Sequence, residues 1–327
     1  MDLQQEEELE NLSLVDILRK SISIPRSSPR TFALITLAFI FPLSFAILAH
    51  SLFTHPLINH LCSASQSSSA SSYASDWSLL FLYQFVYLLF LFTFSLLSTA
   101  AVVFTAASLY AAKHVSFSST ISAIPTVFAR LFHTFLWVYL VMFVYNAVYS
   151  VCIFAIIIST SFPDSAASVF LFSVVTLAFL AAHMYISALW HLASVISVME
   201  PFCGLAAMAK SRGLLRRRTH IAITVVIAYS GIWWLIGDLF RTTVVMAPYE
   251  EGSIWVGPVG KVVIGVALVA MLVAVNLVGL LFQSVFYYVC KSFHHQKIDK
   301  TALHDHLGGY LGEYVPLKSS IQMEIVV

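Results

Sequence analysis

Charge is what this sequence has least of: Asp, Glu, Lys and Arg make up 10% of its 327 residues, while 59% are apolar. Ordinary soluble domains carry about a quarter charged residues. Too little charge is available to cover a water-soluble fold of this size, so the composition points to a polytopic membrane protein. The net charge of +1 gives no argument for nucleic acid as a partner, and where the charges lie matters more than their sum. Cysteine is scarce as well. Cys62, Cys152, Cys203 and Cys290 make no CxxC, and on the topology derived below only Cys62 faces outside, which excludes an intramolecular disulfide framework.

Catalytic signatures are missing too. The chain has no GxSxG, phosphate loop, Rossmann glycine pattern or Asp-rich lipid-transferase signature. General acid–base chemistry would fall to His183 or His191 alone. No catalytic residue, cofactor or metal site is assigned, and an enzyme is the least favoured class. The first thirty residues are polar and begin acidic, unlike a secretory n-region, so the first apolar run is expected to stay as an uncleaved anchor.

Apolar runs are what the chain has in abundance. About 20 residues at 1.5 Å each cross the hydrocarbon. Candidate spans lie at 31–53, 77–112, 131–158, 167–198, 221–240 and 262–288, the second and fourth long enough to tilt or protrude. The expected fold is an all-α bundle of six transmembrane helices. Basic residues orient it. Fifteen of the seventeen Lys and Arg fall before span 1, between spans 2 and 3, between 4 and 5, or after span 6. The opposite side has Arg241 and Lys261. By the positive-inside rule both termini are cytosolic, and so is the loop 199–220 with its Lys210, Arg212, Arg216, Arg217 and Arg218. The outer loop 54–76 is Ser-rich and reads as flexible, and 159–166 reads as a short turn at Pro163 and Asp164. The sequon at Asn11 lies on the cytosolic side and should stay unused.

Each odd-numbered span follows a segment expected to lie in the membrane interface. In "LSLVDILRKSISI" (12–24), Leu14, Ile17, Leu18 and Ile22 share one helical face. The segment 115–128 is weaker and broken by Pro125. In "MEPFCGLAAMAKSRGLLRRRTH" (199–220), Glu200 and Pro201 start a helix, and Phe202, Leu205 and Ala209 form its apolar face. The chain thus divides into a cytosolic head (1–30), a membrane domain (31–288) and a cytosolic tail (289–327). Across it run three parallel two-span units at about 1–112, 113–198 and 199–288.

The block "SVMEPFCGLAAMAKSRGLLRRRTHIAITVV" resembles a set of plant six-span membrane proteins of unassigned role, some loosely labelled as binding a polyadenylate-binding protein. The matching residues are Glu200, Pro201, Gly204, Leu205, Ala206, Ala207, Met208, Lys210 and Ser211. The head "LSLVDILRKSISI" and the first span extend the likeness over most of residues 10–290. The resemblance implies the six-span fold and brings no established activity. No motif here supports the polyadenylate label.

Polar residues inside the spans are the remaining signal. His183, Ser187, His191 and Ser194 form one stripe on span 4, and Asn276, Gln283 and Tyr287 form another on span 6, with Asn146 and Ser150 on span 3. Such groups either line a polar path or hydrogen-bond between helices. Asp238 is the one acid beside a span core, three residues from Arg241 and read as its partner. The tail histidines 294, 295, 304 and 306 read as solvated, and Cys290 is a candidate for acylation or an ordinary buried thiol. The leading expectation is a non-catalytic scaffold, trafficking or membrane-organising component. It would contact anionic lipid through Lys210, Arg212 and Arg216–Arg218, and protein partners through its cytosolic tails. The alternative is a transporter or channel for a small uncharged or weakly polar solute along His183, Ser187, His191, Asn276 and Gln283. Endoplasmic reticulum and plasma membrane both fit.

Overall fold

The computed structural model describes residues 12–64, 70–111, 116–160, 165–246 and 257–294. Expectations for the acidic head at Glu6–Glu10, the Asn11 sequon, Pro163 and Asp164, the Cys62 side chain and the tail from His295 lie outside the described residues.

Those residues form helices α1 (Leu14–Ser27), α2 (Pro29–Ile35), α3 (Phe41–Ala64), α4 (Ala70–Tyr110), α5 (Phe117–Ser159), α6 (Ala166–Met199), α7 (Gly204–Leu215), α8 (Thr219–Phe240) and α9 (Pro258–Phe293). No strand occurs among them. Six stretches are long and apolar enough to cross a membrane: Pro29–Pro56, Trp77–Tyr110, Phe117–Ser159, Ala166–Met199, Thr219–Val245 and Val259–Phe293, here spans 1 to 6. The protein is an integral multi-pass membrane protein.

Local chemistry explains the breaks. Ser13 and Asp16 cap α1 reciprocally: the Ser13 side chain accepts from the Asp16 amide, and the Asp16 carboxylate accepts from the Ser13 amide. The Ser13 hydroxyl also donates to Asp16 and holds that exposed carboxyl below its ordinary value. Span 1 contains a π-turn at Thr36–Ile40, where the Phe41 amide reaches the Thr36 carbonyl. Pro42 follows at once and has no amide to continue the regular ladder, which accounts for the wider turn. A second π-turn, Arg241–Val245, ends span 5.

Three features differ from the sequence-based expectations. The segment read as a separate interfacial element at 115–128 is continuous with span 3 in one 43-residue helix, started by a Ser116 capping box and carrying Pro125 internally. At 1.5 Å per residue it is roughly 65 Å long, about twice the hydrocarbon thickness. The loop read at 54–76 is helical to Ala64 and again from Ala70, with no glycine to interrupt it. In α1 the buried stripe is Ile17 and Ser21, while Val15, Leu18 and Ile22 stay exposed.

The main core lies at one end of the bundle, where α1, α7 and the ends of spans 2, 4 and 6 meet. Arg218 donates to the Leu12 carbonyl at 3.2 Å and covers the Phe293 ring at 4.7 Å, while the His294 ring lies 3.1 Å from the Leu214 carbonyl. Three of the segments rich in basic residues thereby converge, and we call this the basic end. Small residues allow the close approach there: Ala100, Ala101, Ala106 and Ala107 on span 2 are all at most 5% exposed.

Candidate functional site: a polar cavity and its capped end

A cavity of about 390 Å³ lies in the middle of the bundle, and His183, Ser187, His191, Asn276 and Gln283 all line it. The two stripes read from the sequence therefore face one space. Each is aimed by helical spacing: 183, 187 and 191 repeat at four residues on span 4, and 276 and 283 are seven apart on span 6 with Gly279 between. Gly279 leaves room for the Tyr229 ring, whose Cε2 would stand 3.1 Å from an added Cβ.

The lining is cross-linked. Gln283 Nε2 lies 3.0 Å from His191 Nδ1, joining spans 6 and 4. The Tyr229 hydroxyl donates to Asn276 Oδ1 at 2.7 Å, and Asn276 Nδ2 donates to Ser44 Oγ at 2.8 Å, which ties spans 5, 6 and 1. His191 stacks on Trp190 at 5.1 Å and meets Tyr229 edge-on at 6.1 Å. His183 faces Tyr145 at 6.0 Å between ring centroids. None of the lining residues is Asp, Glu, Lys or Arg. The cavity accordingly offers hydroxyls, amides and imidazoles, suited to hydrogen-bonding an uncharged guest and poor at stabilising an ion.

Sequence reasoning missed two walls. Span 2 contributes Ser95, Ser98 and Thr99, a polar stripe at helical spacing that was open to reading, and span 5 contributes Tyr229 and Ser230, which have no such pattern. Three further residues of the stripes do not line the cavity, and of these Tyr287 makes the hydrogen bond between helices that was the alternative reading. Asn146 and Ser150 are exposed and satisfied within their own helix, the amide donating to the Met142 carbonyl and the hydroxyl to the Asn146 carbonyl. Tyr287 leaves the span 6 stripe for a different partner, Glu200.

Glu200 ends span 4 at the basic end and is 8% exposed. Its carboxylate accepts from Tyr287 at 2.5 Å, from Lys291 at 3.1 Å and from Lys210. Burial pushes its pKa up, but the hydrogen bonds from Lys210 and Tyr287 and the Lys291 charge outweigh it and hold the carboxyl below its ordinary value. The Glu200 carbonyl accepts from Arg130 at 3.2 Å, and the Gly204 amide donates to Thr134 Oγ1 at 2.8 Å. Thr134 Oγ1 lies 2.7 Å from Ser197 Oγ, and the Ser211 hydroxyl donates to the Leu189 carbonyl at 2.8 Å. Gly204 is required at this turn. Its φ is +60°, and an added Cβ would stand 2.9 Å from both the His133 and Trp137 rings. The resulting latch joins spans 3, 4 and 6 to α7 beside the cavity.

The latch also revises the basic loop. Lys210 is held by Glu200 and sits over the Phe202 ring at 4.6 Å, and Arg218 is engaged with Leu12 and Phe293, so neither is an open lipid contact. Arg212, Arg216 and Arg217 remain exposed. Arg217 has φ +74° in the turn that follows α7, an uncommon conformation for a residue with a Cβ. The Cys290 thiol is fully buried, so an acyl group has no exposed sulfur to join in this conformation. The expected Asp238–Arg241 pair is present at 3.4 Å, with Arg241 exposed and Asp238 partly so.

A family model for a domain of unknown function, DUF8558, matches residues 1–326. The chain belongs to that family. No curated protein and no solved structure matches it. The family's description adds no plant source and no polyadenylate-binding partner to the resemblance read from the sequence.

Proposed function

We propose that this protein is a transporter or channel that passes a small uncharged or weakly polar solute through the mid-bundle cavity. One observation carries the reading: five polar residues from spans 4 and 6, chosen by pattern, line a single space of about 390 Å³. Ligand pockets run from about 300 to 1,000 Å³, whereas a bridging water needs only some 30 Å³. A bundle needing these groups only as interhelical glue has no use for that volume. The absence of a carboxylate from the lining favours passive passage over proton coupling, which usually depends on a titrating acid. In this reading the basic end faces the cytosol, as the Lys and Arg distribution favours, and the Glu200 latch closes that end of the path.

The test is solute flux in proteoliposomes over a panel of neutral and weakly charged solutes. Wild-type protein is compared with a His183→Ala/His191→Ala double variant of equal melting temperature. Uptake that the double variant loses supports a pathway. Wild-type flux no faster than that of empty liposomes across the panel rejects it.

A second reading, a membrane-organising component, has its own observation. Leu205, Ala209 and Arg212 form one exposed stripe on α7, apolar at its start and cationic at its end, and the exposed Arg216 follows directly after the helix. That pattern suits an interfacial helix over anionic lipid. Changing Arg212, Arg216 and Arg217 to Gln is expected to reduce enrichment of labelled anionic lipid around the reconstituted protein; unchanged enrichment rejects this reading.

A further inference from the structure

A second space is larger than the polar cavity. A groove of about 1110 Å³ runs along the outside of the bundle between spans 1 and 6, with Phe240 and Val244 of span 5 at its floor. Pro29, Ala33, Leu37, Phe41 and Phe45 recur at four-residue spacing along one wall. Val262, Val266, Val269 and Val273 form the other. Span 1 departs from regular α-helix at the π-turn Thr36–Ile40, and Thr36 and Leu37 of that turn line the groove. The small side chains of Gly265 and Ala270 deepen it on the span 6 side.

The ends of the groove are chemically different from its length. Arg26, exposed in the last turn of α1, lines it at the basic end, and Lys261 lines it at the other. Between them Thr36 is the only polar side chain among the lining residues. A single-leaflet acyl chain needs about 15 Å of apolar track, half the hydrocarbon thickness. The run from Arg26 to Phe41 supplies that length at 1.5 Å per residue. A cation at the mouth of an apolar track of this length matches a lipid phosphate followed by its chain.

The structure assigns to this groove one anionic phospholipid, its headgroup phosphate on Arg26 and an acyl chain along Ala33, Leu37 and Phe41. The groove and the polar cavity share no lining residue, and the assignment is independent of the solute reading. A lipid held there covers Thr36 and Leu37, where span 1 departs from the regular helix.

Native mass spectrometry of the detergent-purified full chain tests this, with phosphatidylserine and phosphatidylcholine added in competition. Wild type is expected to retain one phosphatidylserine, preferred about fivefold, the increment of a single interfacial cation. Arg26→Gln should abolish the preference, and Leu37→Trp, filling the track, should lower retention of both lipids. Arg26 and Leu37 are exposed, so melting temperatures should match wild type; if Leu37→Trp melts lower, Val266→Trp replaces it on the facing wall. Arg19→Gln, removing an exposed cation of α1 that does not line the groove, should leave retention unchanged. The assignment is overturned if Arg26→Gln keeps the preference, if the filled groove keeps its lipid, or if Arg19→Gln removes it.

Discussion

The two ends of the same helices are built differently. On span 3, Thr120, Ala123, Ile124, Val127, Leu131, Thr134, Phe135 and Val138 are buried at the basic end, and beyond them only Ile156 is. Span 4 mirrors this, with Ser168 the one buried residue before Ser187 and nearly every position buried from Ser187 to Met199. The far halves present large apolar side chains outward, Phe143 and Phe170 each 72% exposed. In lipid, burying an apolar side chain against another helix gains little, because acyl chains are equally apolar. Helices hold together where small residues permit contact and where hydroxyls, amides and charges find partners. The basic end is rich in those groups, whereas the far halves have a few, Tyr145 on the Phe179 carbonyl, Tyr149 with Thr176 and His50 with Gln84, among Phe, Leu, Ile and Val that lipid solvates equally well.

That contrast can be broken most severely at Gly204. Gly204→Ala combines a strained positive φ with a clash against His133 and Trp137, and is expected to cost about 2–4 kcal/mol, measured by thermal unfolding in detergent. A wild-type melting temperature would mean the latch is looser than its geometry.

Glu200→Gln comes next. It leaves Lys210 and Lys291, 27% and 20% exposed at their side chains, without their counter-charge. Removing one partner of a buried pair costs about 3–5 kcal/mol, and the exposure of the lysines reduces this to roughly 2 kcal/mol. The pH dependence has a definite sign. The Glu200 pKa is lowered from its ordinary 4.5, so its contribution is complete above that value and is lost as pH falls through the folded pKa. Wild type should lose melting temperature on acidification below 4.5 more steeply than Glu200→Gln, and parallel curves would remove the carboxylate from the account.

Between the two ends, Asn276→Leu severs the links to Tyr229 and Ser44 and should cost about 0.6–1.7 kcal/mol. A double-mutant cycle with Ser44→Ala isolates the pair, and zero coupling would show that the two groups do not act together. The smallest effect belongs to the far end. Phe143→Ala, in a lipid-facing position, should change stability by less than about 0.5 kcal/mol. A large loss there would reveal a packing partner at the far end and erase the contrast.

How far the sequence could be read depended on the distance between partners. His183, Ser187 and His191 share a face through helical spacing alone, so pattern was enough to find them. Glu200 read only as a helix start, because Glu-Pro is a local signal. Its partners Tyr287 and Lys291 lie 87 and 91 residues away, and nothing local joins them. Lys210 read as a lipid contact for the same reason: exposure of a long cation follows from what packs beside it. The span 3 boundary failed because Pro125 looked like a break, and a helix embedded in neighbours tolerates it.

Composition and hydropathy by themselves determined a multi-pass helical protein with six spans, since lipid admits only helices or closed barrels and each apolar run has the length to cross. Helical periodicity determined which polar side chains share a stripe. Only the tertiary structure decided that two stripes face one cavity, that a buried carboxylate gathers two lysines and a tyrosine, and that the core lies at one end. Those are relations between residues far apart in the chain, fixed by how helices pack, and a one-dimensional pattern holds no information on which faces meet.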